Sequence, residues 1–168
     1  MSRKLLLAAL ATLAMMFVMR YQGAVLVTPQ SPRGILDLEF ANTPAKLQNL
    51  LGLWDHASVK WNIGLDFLFI AAYASFFSLL TQQTANLSTG FMRTAGHALS
   101  RLSWLAAILD VVENGLMWFS FEQYYSVNSL VLTYYCAFFK FVLVGLAILY
   151  LLLSVPAWLK RKQRLAGD

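Results

Sequence analysis

The chain has a single cysteine, Cys136, in 168 residues. One thiol excludes an intramolecular disulfide, a multi-thiolate metal site and the paired-cysteine chemistry of membrane thiol oxidoreductases. Histidine is almost as scarce. His56 and His97 fall on opposite sides of an apolar run, so one chain offers neither a paired-histidine metal or haem site nor a histidine base for nucleophilic catalysis. Charge is the third shortage. Asp, Glu, Lys and Arg make up 12% of the residues, against 59% hydrophobic, where soluble domains hold about a quarter and about half. With a mean hydropathy of +0.60, this is a membrane composition. The net charge of +5 does not point to nucleic acid, because the basic residues are distributed as topology signals and form no patch.

Apolar runs long enough to cross a bilayer, which takes about 20 residues of helix, are present four times: near 5–27, 62–81, 102–122 and 129–155. The expected fold is all-α, a four-transmembrane-helix bundle forming one integral membrane domain over 1–168. Ser2-Arg3-Lys4 before Leu5 looks like a signal peptide. However, no small-x-small cleavage site follows, and the apolar character resumes after Arg20, so an uncleaved first helix is expected. Arg3, Lys4, Arg93, Arg101, Lys160, Arg161, Lys162 and Arg164 would lie on one side, and only Arg33, Lys46 and Lys60 on the other. The positive-inside rule then puts both termini in the cytoplasm. Trp54, Trp61 and Trp118 would sit near the outer interface, and Trp104 and Trp158 near the inner one.

The outer loop, 28–61, carries two local patterns. Ile35–Phe40 alternates apolar and acidic residues, which predicts a short extended segment. Thr43-Pro44 reads as an N-cap followed by proline at the first helical position. Leu47, Leu50, Leu51 and Trp54 then recur at helical spacing, predicting an amphipathic helix in the outer interface. The stretch 82–101 reads as a polar cytoplasmic connection, and the short turn near 123–128 makes the third and fourth spans antiparallel neighbours.

Inside the spans stand five charges: Arg20, Asp66, Asp110, Glu113 and Lys140. A charged group there costs several kcal/mol unless it is paired or wetted, and an ionisable residue inside a membrane is by default a candidate functional group. Helical spacing gives each span one polar stripe: Thr12, Met16 and Arg20; Asn62, Asp66 and Tyr73; Asp110, Glu113 and Asn114; Thr133, Ala137 and Lys140. Ser103 and Ala106 or Ala107 below the third stripe allow close helix approach. At 1.5 Å rise per residue, Asp110, Glu113 and Lys140 fall within roughly 5 Å of mid-span, and Arg20 and Asp66 roughly 6–9 Å outward. This predicts two layers, an outer Arg20–Asp66 pair and a central group around Lys140, with one acid in excess.

The candidate site is therefore Arg20, Asn62, Asp66, Tyr73, Asp110, Glu113, Asn114 and Lys140, with no metal and no cofactor expected. An ammonium among the acids argues against a cation cage. Acid–base catalysis by Glu113 or Asp110 is chemically open, but no nucleophile or metal can be named. The leading expectation is a pocket open to the periplasm that binds a small amphiphile, a lipid or a cation. Proton or ion transport by a homo-oligomer is the first alternative. The second is an accessory subunit of a larger membrane complex, with the charges fixing helix register.

The runs Gly34-Ile-Leu-Asp-Leu-Glu-Phe-Ala41, Leu65-Asp-Phe-Leu-Phe69, Leu109-Asp-Val-Val-Glu-Asn114 and Lys140-Phe141 resemble a group of small bacterial four-helix membrane proteins. The resemblance covers most of the chain, including the charged core. It implies a bacterial inner membrane and carries no activity with it.

Overall fold

A computed structural model describes residues 2–166, with side chains as far as Val155. The chain runs through α1 (Arg3–Gly23), a 3-10 turn (Ala24–Leu26), α2 (Ile35–Glu39), α3 (Pro44–Leu51), α4 (His56–Leu87), α5 (Gly90–Phe121) and α6 (Val127–Ala166). Among the described residues four helices are long and apolar enough to cross a membrane: α1 with its following turn, α4, α5 and the first 29 residues of α6. The side chains of Trp158, Lys160, Arg161, Lys162 and Arg164, which the sequence assigns to the inner side, lie outside the described residues.

The long helices α1 and α4 start on side-chain caps. Ser2 Oγ accepts from Leu5 N at 3.2 Å, and Asp55 Oδ2 accepts from Ser58 N at 3.0 Å, each filling one of the orphan donors of a first turn. Those hydrogen bonds hold the exposed Asp55 carboxyl below its ordinary value. Thr43 caps α3 ahead of Pro44. The end of α5 is a Schellman turn, in which Gln123 N bonds Ser120 O at 3.1 Å and Tyr124 N bonds Phe119 O at 2.9 Å. Gln123 takes φ 68° there, a position that usually falls to glycine.

The stretch 82–101 is not a loop. α4 continues to Leu87 and α5 begins at Gly90, leaving a turn of Ser88 and Thr89. Polar side chains do not end a helix once it leaves an apolar environment; the break comes where Gly90, at φ +55°, allows the chain to reverse. The two helices then pack closely along their length, because α5 turns a stripe of small residues inward: Gly96, Ser100, Ser103, Ala106 and Ala107, all buried. A Cβ on Gly96 would fall 2.2 Å from Tyr150 Oη and 2.7 Å from Ala85 Cβ, so α4, α5 and α6 meet there at a distance only glycine permits.

α4, α5 and α6 form the antiparallel centre of the molecule, and α1 packs along α4 without comparable contact to α6. The segment between α1 and α4 folds over one end of that trio. There Leu26, Leu38, Leu47, Leu50 and Trp54 are buried with Val59, Ile63, Met117, Phe121 and Leu130 in one apolar cluster. Trp54 is 6% exposed and donates its indole N–H to Leu26 O at 2.8 Å, which fastens the segment to the end of α1.

Within this cap the extended segment expected at Ile35–Phe40 is a helical turn, α2. Gly34, at φ 60° and ψ −130°, allows a chain reversal that an L side chain rarely adopts. Asp37 then locks the turn, accepting from Ser31 Oγ at 2.8 Å, Arg33 N at 3.1 Å and Arg33 Nε at 2.7 Å. Burial raises the Asp37 carboxyl, but these hydrogen bonds and the Arg33 charge outweigh it and hold the group below its ordinary value. A strand would have set Asp37 and Glu39 on one face. The helical turn separates them, leaving Asp37 beside Arg33 and burying Leu38 and Glu39.

Candidate functional site

The charged interior is organised around Lys140 of α6, which is 5% exposed. Its Nζ lies 2.7 Å from Asp110 Oδ1, 2.9 Å from Glu113 Oε2 and 3.3 Å from Glu39 Oε2. An ammonium has three N–H donors, and three carboxyl groups surround this one. Asp110 uses its second oxygen to accept from Tyr73 Oη at 2.8 Å. α5 supplies Asp110 and Glu113 three residues apart, and α4 supplies Tyr73, so the cluster ties the three central helices and α2 together.

Asp66 belongs to a separate pair. Asn114 Nδ2 donates to Asp66 Oδ2 at 2.7 Å, and Asn114 is itself 1% exposed. No ion pair reaches Asp66 among the described residues. Asn62 donates to Gln22 of α1, and Gln22 Nε2 in turn donates to Ser58 O at 2.7 Å. That polar clasp joins α1 to α4 close to the capped end.

The residues chosen from the sequence thus divide. Asp110, Glu113, Lys140 and Tyr73 form one hydrogen-bonded group; Asp66 and Asn114 form a second pair beside it; Asn62 sits in the clasp between α1 and α4. Arg20 does not take part. It is exposed and, among the described residues, has no ion pair, so the expected Arg20–Asp66 layer is absent. The reason is register. On α1 Thr12 is buried, but Met16 is 52% exposed and Arg20 one turn further on is turned outward, because α1 packs mainly against one helix, α4.

Sequence reasoning missed Glu39. It lies in the loop, outside every apolar run, and an alternating reading places it on a solvated face. Only the Asp37-locked turn carries it to Lys140. Phe40 holds that approach, with its ring stacked on Phe141 at 6.0 Å and edge-on to Tyr134 at 5.5 Å. Burial pushes the Glu39 carboxyl above its ordinary value; Lys140 opposes the shift and Asp110 adds to it. Four acids, Glu39, Asp66, Asp110 and Glu113, now face one cation. With Arg20 outside, the excess of acid is larger than the sequence suggested.

A cavity of about 530 Å³ adjoins this group. Glu39, Asp66, Tyr73, Asp110 and Lys140 line its polar end, with Ile35 and Leu36 of α2 beside them. Its walls are apolar apart from Thr12, whose hydroxyl donates to Ala8 O: Ala9, Leu13, Met16 and Met19 from α1, Phe69, Phe76 and Phe77 from α4, and Phe141 and Val144 from α6. Leu13, Met16 and Phe141 are each about half exposed, at 53%, 52% and 45%. They form a rim, so the cavity opens sideways between α1 and α6, where those helices do not pack together. Toward its capped end the interior is closed by α2 and the apolar cluster beneath α3.

Chemically, the site offers hydrogen-bond acceptors and negative charge at the end of an apolar chamber. The chain's one thiol is not part of it: Cys136 is buried in α6 and absent from the cavity lining. Among the described residues no group of histidine, cysteine and acidic side chains is placed to hold a metal ion. Lys140 occupies the centre where a cation would have to sit. Comparison with protein-family models, with curated proteins and with solved structures finds no match.

Proposed function

We propose that this is a small bacterial inner-membrane protein that takes an amphiphile sideways from the bilayer and holds its head group at the acidic end of the cavity. Both termini lie in the cytoplasm in this reading, and α3 rests in the outer interface with the capped end of the bundle. The observation that carries the proposal is the cavity's form. Its walls are apolar, its polar groups are gathered at one end, and its rim lies on the side where exposed Leu13, Met16 and Phe141 would meet lipid tails. A chamber of this size falls in the range of small-molecule sites, about 300–1,000 Å³. A mouth lined by apolar side chains admits a chain-bearing ligand more readily than a hydrated ion, which favours binding over the ion-relay reading.

The test is the content of the chamber. Protein extracted in a neutral maltoside detergent should release a long-chain amphiphile at near-equimolar amount when denatured in organic solvent and examined by mass spectrometry. Leu13→Trp places an indole at the rim without disturbing a buried position, and it should lose most of that ligand while melting as the wild type does. Equal recovery from both proteins would sink the proposal. Thiol labelling from each side, with single cysteines at Ser2 and Asn42 in a Cys136→Ala background, reads the orientation. Labelling of Ser2→Cys from outside would reverse it.

A further inference from the structure

We infer that the head group held here is a protonated amine carrying no anionic group, bound by Asp66 in a cavity whose wall also carries Glu39. The inference rests on the amphiphile reading above and narrows it to one chemical class.

Two acceptors in the cavity wall are incompletely used. Asp66 receives one hydrogen bond, from Asn114 to Oδ2, which leaves Oδ1 with both lone pairs for a ligand. Glu39 Oε2 is buried, lies 3.3 Å from Lys140 Nζ and accepts no hydrogen bond. Its side chain is 9% exposed, and Glu39 lines the same cavity as Asp66. The buried cation of the lining, the natural donor to an anion, is already committed, because Lys140 faces Asp110, Glu113 and Glu39 at 2.7, 2.9 and 3.3 Å. Tyr73 likewise gives its hydroxyl hydrogen to Asp110. The polar end of the chamber therefore presents acceptors with almost no free donors.

That asymmetry selects the ligand. A phosphate or carboxylate head would find no donor and would be repelled by four acids clustered around one ammonium, where like charges in a low-dielectric site repel strongly. A neutral hydroxyl can fill one acceptor but leaves the charge excess as it was. An ammonium at Asp66 Oδ1 reduces the excess by one, and Glu39, in the lining of the same cavity, adds negative charge beside it. Phe69 and Tyr73 flank Asp66 in the lining, and aromatic faces also favour a cation. A phospholipid amine fails on the phosphate beside its amine, so the class is an amphiphile whose head is an amine alone.

The experiment uses the full chain in neutral maltoside micelles and three probes that share one tail: dodecylamine, dodecanol and dodecyl phosphate. Binding is read by native mass spectrometry and by thermal shift at pH 7. Dodecylamine should bind one per chain and raise the melting temperature, and dodecyl phosphate should not bind. Asp66→Asn keeps the hydrogen bond to Asn114 possible and removes the charge; it should weaken dodecylamine by about tenfold or more, the scale of a charge-assisted hydrogen bond, and leave dodecanol unchanged. Asp66→Glu, which restores the charge, should recover part of the loss.

Equal binding of all three probes, or of dodecanol and dodecylamine alone, would overturn the amine assignment while leaving the amphiphile reading in place. Undiminished dodecylamine binding by Asp66→Asn would remove the head group from Asp66. Failure of every probe, together with an empty chamber in the extracted protein, would remove both proposals.

Discussion

Lys140→Met should be the most damaging single change in the interior, and its cost tests whether the ion cluster is organised as the distances indicate. Methionine conserves the length of the side chain and fills the same space, so the perturbation is the loss of one charge and its donors. At an effective dielectric of about 20, each contact of 2.7–3.3 Å carries about 5–6 kcal/mol of Coulomb attraction before desolvation is subtracted. Buried pairs that lose one partner typically cost about 3–5 kcal/mol, because the remaining charge stays buried without compensation. Here three carboxyls lose the same partner, so the expected cost lies in the upper part of that range. Glu39→Gln removes the longest of the three contacts and also relieves repulsion among the acids. These effects oppose each other, and the expected change is within about 1 kcal/mol. The double variant is the decisive one: with fewer orphaned charges, Glu39→Gln should recover about 1–2 kcal/mol of the Lys140→Met loss, a coupling of ordinary size for residues in one network. Equilibrium unfolding in mixed micelles at pH 7.5 gives all four corners of the cycle. If Lys140→Met costs less than about 1 kcal/mol, the cluster is not holding buried charge; if Glu39→Gln leaves the loss untouched, α2 does not reach Lys140 in solution.

Two further perturbations probe the frame around the site. Gly96→Ala would put a methyl 2.2 Å from Tyr150 Oη and 2.7 Å from Ala85 Cβ. One neighbour is the end of a buried ring and the other is fixed to a helix backbone, so overpacking of about 1–3 kcal/mol should exceed the helix-propensity gain of about 1 kcal/mol. The melting temperature should fall, and a rise would mean that α4, α5 and α6 are not this close. Asp37→Asn loses the lock on α2, and amide hydrogen exchange at residues 35–40 should accelerate while that of α5 does not. The pH dependence has a fixed sign. Because hydrogen bonds and Arg33 hold Asp37 below its ordinary value of 3.8, its contribution is complete above that value and is lost as the pH falls through the lowered one. Wild-type α2 exchange, corrected for the intrinsic rate, should therefore rise only in that acidic window, and protection that is flat through it would exclude Asp37 as the lock.

What the sequence made legible follows from how each signal arises. The apolar runs located all four long helices, since length and hydropathy are properties of consecutive residues. Helical spacing put Asp110, Glu113 and Lys140 on inward stripes, because a helix that buries one face fixes its own periodicity. Two kinds of error came from asking those rules about tertiary facts. Arg20 shares a stripe with Thr12, but a helix that packs mainly against one neighbour buries a narrow face, and no spacing rule tells how many neighbours a helix has. Glu39 stands in a six-residue alternation that reads equally well as a strand. Its true conformation depends on Asp37 bonding back to Ser31 and Arg33, and its burial depends on Phe40 docking between Tyr134 and Phe141. The polar stretch at 82–101 misled for a related reason: polarity reports where an apolar run ends and says nothing about where a helix does.

Replacing Arg20 by Glu39 in the charge count alters what the interior is for. With Arg20 present, five charges make two nearly balanced layers, and register-setting alone would account for them. With Glu39 in its place, three acids surround one ammonium, and the fourth, Asp66, has a single amide as partner among the described residues. A bundle that needed only to fix its register would be complete at Lys140, where α2, α5 and α6 are already joined and α4 is added through Tyr73. Asp66 contributes nothing to that junction; its one partner among the described residues, Asn114, is on a helix already packed against α4. Yet Asp66 faces the chamber, where an unpaired carboxylate is costly. The same residue is thus superfluous to the closed cluster and unsatisfied in the open one, and the proposed cationic head group, entering between α1 and α6, would resolve both.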